Sequence, residues 1–187
     1  KDTFASALAP LGYRRIALAD SLKDVARRLF DLSNAQVNGT VEQKEAPDVR
    51  WTTFEHPLGL TPRFILQRLG TEVARSIHPD VWTRTLLRHI DDIAQGLSGG
   101  ATLRFAVSDV RFPNEAAALR GRGGRIVKLV RTGYAVEEGI GGHESEQLVD
   151  GIEADWTVEA LSGDIEAIRE AALRIAAEIE NQRRRPA

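Results

Sequence analysis

Residues 103–119 read Leu103-Arg104-Phe105-Ala106-Val107-Ser108-Asp109-Val110-Arg111-Phe112-Pro113-Asn114-Glu115-Ala116-Ala117-Ala118-Leu119. Leu103, Phe105 and Val107 alternate with their neighbours, the period of a strand with one buried face. The run stops on Ser108 and Asp109, and Pro113 reopens the chain as a helix to about residue 121. An acid at the carboxyl end of a strand stands where open α/β sheets bind their ligands. Two residues on, Arg111 adds a fixed cation whose forked guanidinium suits phosphate. A solvated turn between strand and helix is the plain alternative for the same residues.

Outward from this corner the chain alternates strands and helices. Arg15 to Ala19 reads as a short buried strand ending on Asp20, followed by Leu22, Val25, Ala26, Leu29 and Phe30 at helical spacing. Residues 33–60 hold Asn34, Gly39, Pro47, Pro57 and Gly59 without periodicity and read as a long loop or insertion, a feature that is usually functional or mobile in a compact domain. Thr61-Pro62 is a helix start, a capping hydroxyl followed by Pro at the first helical position, with Leu66, Leu69, Val73 and Ile77 as its apolar stripe. Pro79-Asp80 opens another helix with Trp82, Leu86, Ile90, Ile93 and Leu97 inward, closed by Ser98-Gly99-Gly100. Downstream, Arg125 to Val130 is a strand and Thr157-Val158 a last short one. Residues 131–147, with Gly133, Gly139, Gly141 and Gly142, read as a mobile flap. The final helix carries Ile165, Ile168, Ala172, Ile175 and Ile179 on one face, Ser162 as cap and Arg183 to Arg185 at the negative end of its dipole. This alternation predicts an α/β fold, a parallel sheet covered on both faces.

Composition bounds the partners. At 187 residues, 42% apolar and 28% charged, the chain is long enough to bury a good core as one domain. Acids number 27 against 25 Lys and Arg, so there is no nucleic-acid footprint. Arg outnumbers Lys 21 to 4, which fits either phosphate recognition or the codon bias of a GC-rich genome. Zero Cys excludes disulfides and thiolate metal sites, and His56, His78, His89 and His143 lack ligand spacing. No apolar run reaches membrane-spanning length and no signal peptide is visible, so a cytoplasmic setting is expected. The chain has no Met, where several are ordinary; we expect residues before Lys1, and Met positions missing elsewhere, and read spacings to within a residue or two.

The chain opens Lys1-Asp2-Thr3 and runs into a helical pattern with Phe4, Leu8 and Leu11 on one side and Gly12 after its end. A Lys followed by a small polar residue at a helix start is how a P-loop ends, where preceding glycines wrap the phosphates and the Lys reaches the outer ones. Here the glycines and their strand are absent, and Asp2 stands where Ser or Thr is usual. A plain helix start is the competing account.

Five segments occur in order: Lys1-Asp2-Thr3-Phe4-Ala5; Ala17-Leu18-Ala19-Asp20-Ser21-Leu22-Lys23; Leu66-Gln67-Arg68-Leu69-Gly70-Thr71-Glu72 with Pro79-Asp80-Val81-Trp82; Ser108 to Glu115; and His143-Glu144-Ser145-Glu146. Together they resemble the deoxynucleoside monophosphate kinase family of bacteriophages, which are P-loop kinases, over nearly the whole chain. That family's loop ends Gly-Lys-Asp-Thr, which accounts for Asp2; Glu159 departs from it, where relatives tend to carry Asn. The resemblance implies a nucleoside-monophosphate-kinase fold: a P-loop core over 1–32, 101–130 and 150–187, a helical substrate-binding region over about 33–100, and a lid over about 131–147. It implies transfer of the γ-phosphoryl of ATP to a deoxynucleoside monophosphate, with Mg²⁺.

On that reading Lys1 bridges the donor's outer phosphates, with Asp2 and Thr3 beside it in the ATP site. Thr3 or Asp2, with Asp109, holds Mg²⁺ directly or through water. Arg111 binds the acceptor or the transferring group, and Arg131, where strand meets flap, closes onto the phosphates. The acceptor's phosphate oxygen is already largely ionised at neutral pH, which fits a chain with no evident catalytic His or paired-carboxylate device. Arg63, Gln67, Thr71, Glu72 and Arg75 fall three and four apart, on one helix side opposite the Leu stripe. A solvated face explains such a row; the resemblance turns it toward acceptor binding, with Gln67 or Glu72 reading the base. Trp82 either stacks on a base or packs in the core, and Asp20 and Lys23 either line the acceptor pocket or, for Asp20, cap a helix. His143 and Ser145 are expected as lid or hinge contacts. A kinase of another small-molecule acceptor and a nucleotide-binding protein without turnover stay open, as does a homodimer.

Overall fold

The computed structural model describes residues 1–96, 103–133 and 148–184. Among these, the strands are β1 (Tyr13–Ile16), β2 (Arg104–Val107), β3 (Val127–Thr132) and β4 (Trp156–Leu161). The helices are α1 (Asp2–Ala7), α2 (Leu18–Phe30), α3 (Asn34–Asn38), α4 (Val41–Glu45), α5 (Pro62–Gln67), α6 (Arg75–Ile77), α7 (Val81–Gln95), α8 (Pro113–Gly121) and α9 (Ile165–Arg184). The chain divides into two compact units, Lys1–Ala17 with Ile93–Ala187, and Leu18–Asp92. The expected lid falls almost wholly outside the described residues, as do His143 and Ser145.

In the first unit β1 runs parallel to β2, from Tyr13 opposite Arg104 to Ile16 opposite Val107. β3 runs parallel to β4, from Val127 opposite Trp156 to Thr132 opposite Leu161. Parallel pairing is as expected, but the described strands form two pairs rather than one continuous sheet. One core serves both: Phe4 of α1, Leu8 at its carboxyl cap, Val158 of β4, and Ala172 and Ile175 of α9 meet Tyr13, Ala106, Val127, Leu129 and Trp156. Covering a side chain the size of Ile175 stabilises by about 2 kcal/mol. β4 alternates, with Val158 and Ala160 buried and Thr157 and Glu159 exposed, so the departure at Glu159 lies on its outward face. The indole N–H of Trp156 donates to Glu178 Oε2 at 2.8 Å, and Arg104 pairs with Glu180 at 3.0 Å, fastening the strands to α9.

Asp155 closes the start of the second pair, accepting from Ile126 N at 2.8 Å and from Arg120 and Arg125 at 3.3 Å each. Burial disfavours its ionised form, but the Ile126 N–H and the two guanidiniums outweigh that and hold the carboxyl below its ordinary pKa. The cap of α9 is not Ser162. Its N–H still donates to Thr132 O at 3.2 Å, continuing the sheet; Gly163 then turns the chain at φ +91°. Asp164 Oδ1 accepts from Ala167 N at 3.0 Å instead.

The second unit is helical, packed around Ala26, Leu32, Val37 and Ile65. α2, grouped with the core in the sequence reading, packs here. Pairing of β1 ends at Ile16 and α2 has begun by Leu18, because the buried pair Ala17-Leu18 suits a strand or a helix alike. The expected loop over 33–60 is largely built. α3 and α4 each start in a capping box, Ser33 with Gln36 and Thr40 with Gln43. A 3₁₀ turn follows over Val49–Trp51, and Trp51 Nε1 donates to Phe30 O at 2.9 Å. Thr61 caps α5 as expected, accepting from Phe64 N at 3.1 Å.

Beyond α5 the helix widens into a π segment, Arg68–Ala74, before α6. Leu66 and Leu69 reach the core, whereas Val73 and Ile77 are exposed. The i→i+5 turns break the 3.6-residue phase that the stripe assumed. Gly70 lies in this segment, where a Cβ would stand 2.7 Å from Leu22 Cδ2, and its carbonyl accepts from Trp82 Nε1 at 2.9 Å. No described helix is long and apolar enough to cross a membrane.

Candidate functional site

Lys1 precedes α1, and Asp2 opens it. Asp2 Oδ1 accepts from Arg15 Nη2 at 2.8 Å and Nε at 3.1 Å. Arg15 is the last residue but one of β1, opposite Ala106 in β2. One step further, Ser108 N donates to Ile16 O at 3.2 Å, and Asp109 follows. These contacts bring the amino end of α1, the carboxyl ends of β1 and β2, and the Ser108-Asp109 corner to one end of the first unit.

Charge converges there as well. The Arg131 guanidinium is exposed near the carboxyl end of β3, opposite Ala160. Burial works against ionised Asp2, yet the Arg15 guanidinium prevails and holds the carboxyl below its usual range. Ser108 Oγ is buried without a hydrogen-bond partner among the described residues, so the corner keeps an unused hydroxyl.

The backbone of the corner is held by Glu115, only 4% exposed. Its Oε2 accepts from Arg111 N at 2.9 Å and Phe112 N at 3.1 Å. A carboxylate on the first turn of α8 thus orients the residue that carries the Arg111 guanidinium. The sequence reading passed over Glu115 and Arg15. The former was visible as an acid two places after Pro113; the latter, thirteen residues from Asp2, had no local signal.

Asp20, Lys23, Arg63, Gln67, Thr71, Glu72, Arg75 and Trp82 all lie in the second unit. Asp20 stands in the first turn of α2, with Lys23 one turn on, rather than at a strand end. Arg63 is paired with Glu45 and Arg68 with Glu72. Gln67 is exposed on the last residue of α5, Thr71 lies in the π segment, and Arg75 opens α6, so the expected row does not run along one regular helix. Trp82 is half-buried with its N–H committed to the π segment, as a packing residue would have it. Among the described residues no three His, Asp or Glu side chains cluster as a metal site.

A mixed helix-and-strand fold with short parallel pairs, and cations and acids gathered at strand ends, fits the nucleotide-kinase class. A curated protein of Acanthamoeba polyphaga mimivirus, named "Putative deoxynucleotide monophosphate kinase", is 35% identical over 147 residues, 74% of this chain and 72% of that protein. No protein-family model matches the chain, and no solved structure matches it significantly. The chain belongs to the deoxynucleotide monophosphate kinase family.

Proposed function

We propose that the protein transfers the γ-phosphoryl of ATP to a deoxynucleoside monophosphate, giving the deoxynucleoside diphosphate and ADP. The observation that carries this reading is the gathering of Lys1, Asp2 and the Ser108-Asp109 corner at one end of the first unit, read with the family membership. An oxygen of the acceptor phosphate bonds to the γ-phosphorus, and the bond from that phosphorus to the β-phosphate bridge breaks, releasing ADP. Such a transfer needs alignment and charge neutralisation more than covalent chemistry. Lys1 neutralises the donor's outer phosphates, and Arg131 and Arg111 add cations for the transferring phosphoryl group.

The donor set fits Mg²⁺, a hard cation that takes few carboxylates and keeps waters. Thr3 and Asp109 would hold it, with Asp2 acting through water because Arg15 holds its Oδ1. When bound, it spreads the charge of the transferring phosphate. The acceptor residues belong to the second unit, Asp20, Lys23, Arg63, Gln67, Thr71, Glu72 and Arg75 among them.

A coupled ADP-release assay across the four deoxynucleoside monophosphates tests the reading. Lys1→Ala and Arg111→Ala each lower transfer by orders of magnitude while far-ultraviolet circular dichroism is unchanged. Transfer that survives both substitutions overturns this site.

A further inference from the structure

The segment from Asp48 to Leu60 is a built loop. Asp48 N donates to Leu60 O, and Leu60 N to Trp51 O, both at 2.9 Å. The Asp48 carboxylate, 8% exposed, takes Arg50 Nη2 at 2.7 Å and Gln36 Nε2 at 2.9 Å. Gly59, at φ +107°, lets the returning strand pass where a Cβ would stand 2.2 Å from Asp48 O. At the tip, Thr53 N donates to His56 O at 3.1 Å and His56 N to Thr53 O at 3.2 Å. The two residues between them, Phe54 and Glu55, form the turn.

All this wiring presents a phenyl ring to water, for Phe54 is fully exposed. The loop packs its larger ring, Trp51, against Phe30, yet leaves Phe54, Val49 and Leu58 all exposed, and several apolar side chains left outside on one loop mark a binding surface. Beside the ring is a cleft of about 420 Å³, within the roughly 300–1,000 Å³ of small-molecule sites. Its lining combines Phe54, His56, Leu60 and Phe64 with Glu55 and Arg68. His56 tilts against Phe64 at 4.9 Å between ring centroids, and the Arg68 guanidinium lies 5.5 Å over the same ring. Aromatic faces accept a flat heterocycle, a carboxylate accepts ring or exocyclic N–H groups, and a guanidinium accepts an anion. A nucleobase joined to a phosphate meets all three.

We infer that this cleft holds the acceptor nucleotide, with Phe54 stacking on the base, Glu55 taking its N–H groups and Arg68 steadying the anionic end. The inference rests on the kinase reading for its choice of ligand. It moves base recognition from the Gln67 and Glu72 row to the loop tip, and Glu72 becomes the partner that orients Arg68.

The experiment is calorimetric titration of the full chain with dAMP, dGMP, dCMP and dTMP separately, without ATP, alongside the ADP-release assay. Phe54→Ala raises the dissociation constant of the bound monophosphates at least tenfold and Arg68→Ala acts in the same direction; Phe54→Trp stays near the unchanged chain, and Val49→Ala on the same loop has no effect. Because Phe54 touches no core, its variants keep the melting temperature and the affinity for ATP. Binding within twofold of the unchanged chain in Phe54→Ala overturns the inference. Monophosphate binding that depends on Phe54 without ADP release overturns the kinase reading and upholds the cleft. Transfer whose KM for the monophosphate ignores Phe54→Ala does the reverse, and a chain that neither binds nor turns over any monophosphate overturns both.

Discussion

Two turns of this protein are each organised by a buried carboxylate, and they differ in where the carboxylate finds its partners. At the Ser108–Phe112 corner, Glu115 takes the backbone N–H groups of residues three and four places away. In the Asp48–Leu60 loop, Asp48 takes the N–H and guanidinium of Arg50 and reaches back twelve residues to Gln36, and Arg50 goes on to Asp31, nineteen residues from it. The first arrangement fixes two successive peptides at the corner that follows β2. The second knits α2, α3 and a loop into one piece. A local carboxylate serves position; a distant network serves cohesion.

Removing each acid separates the two roles. Asp48→Ala takes from Gln36 and Arg50 their shared acceptor and, because Arg50 is half exposed and keeps Asp31, destabilises the fold by about 2 kcal/mol. The loss is read as a lower midpoint in urea unfolding at unchanged slope. A change under 1 kcal/mol would make the network ornamental. Glu115→Ala acts mainly on turnover, lowering kcat about tenfold, a fraction of the roughly hundredfold that a 1 Å misplacement costs. Glu115→Gln, which keeps one acceptor oxygen, recovers part of it. Equal loss of kcat in both variants with no change in substrate KM, or a melting shift larger than that of Asp48→Ala, would reverse the assignment of roles.

The contrast also explains what could be read from residue order. The corner, α8 and the parallel pairing were legible because their signals are local: alternation, Pro113, and an acid after it. Thr61-Pro62 was legible for the same reason. The loop over 33–60 was not, since Asp48 is an unremarkable acid until Gln36 and Arg50 are beside it. The π segment left no trace, because Leu66, Leu69, Val73 and Ile77 describe an α-helix equally well. At the candidate site, the likeness of the five ordered segments pointed to Lys1, Asp109 and Arg111, while Arg15, which fixes Asp2, needed the strand to be in place. The exposed ring of Phe54 gave no periodic signal.

Acid offers the finest comparison. Arg50 holds Asp48 far below the ordinary carboxylate range, and Asp155 is held below it more modestly by Ile126 N–H and two arginines, burial opposing in both. Both folded pKa values are depressed, so the unfolded chain binds more protons in acid. Their stabilisation is complete above the unfolded carboxylate pKa of about 4 and declines as pH falls below it. Unfolding free energy measured from pH 7 to pH 2 is therefore flat in its upper part and falls below about pH 4. Asp48→Asn, which cannot ionise, makes that fall shallower. An identical slope in the variant would show that Asp48 does not govern the acid limb.

The three indoles have a practical consequence. Trp51 and Trp82 anchor to main-chain carbonyls of Phe30 and Gly70 in the helical unit, and Trp156 to Glu178 in the strand-bearing unit. Each ring is thus a native fluorophore tied to one part of the polypeptide. Replacing them in turn by Phe lets the emission colour of the remainder reveal which half loosens first, with no dye or label introduced.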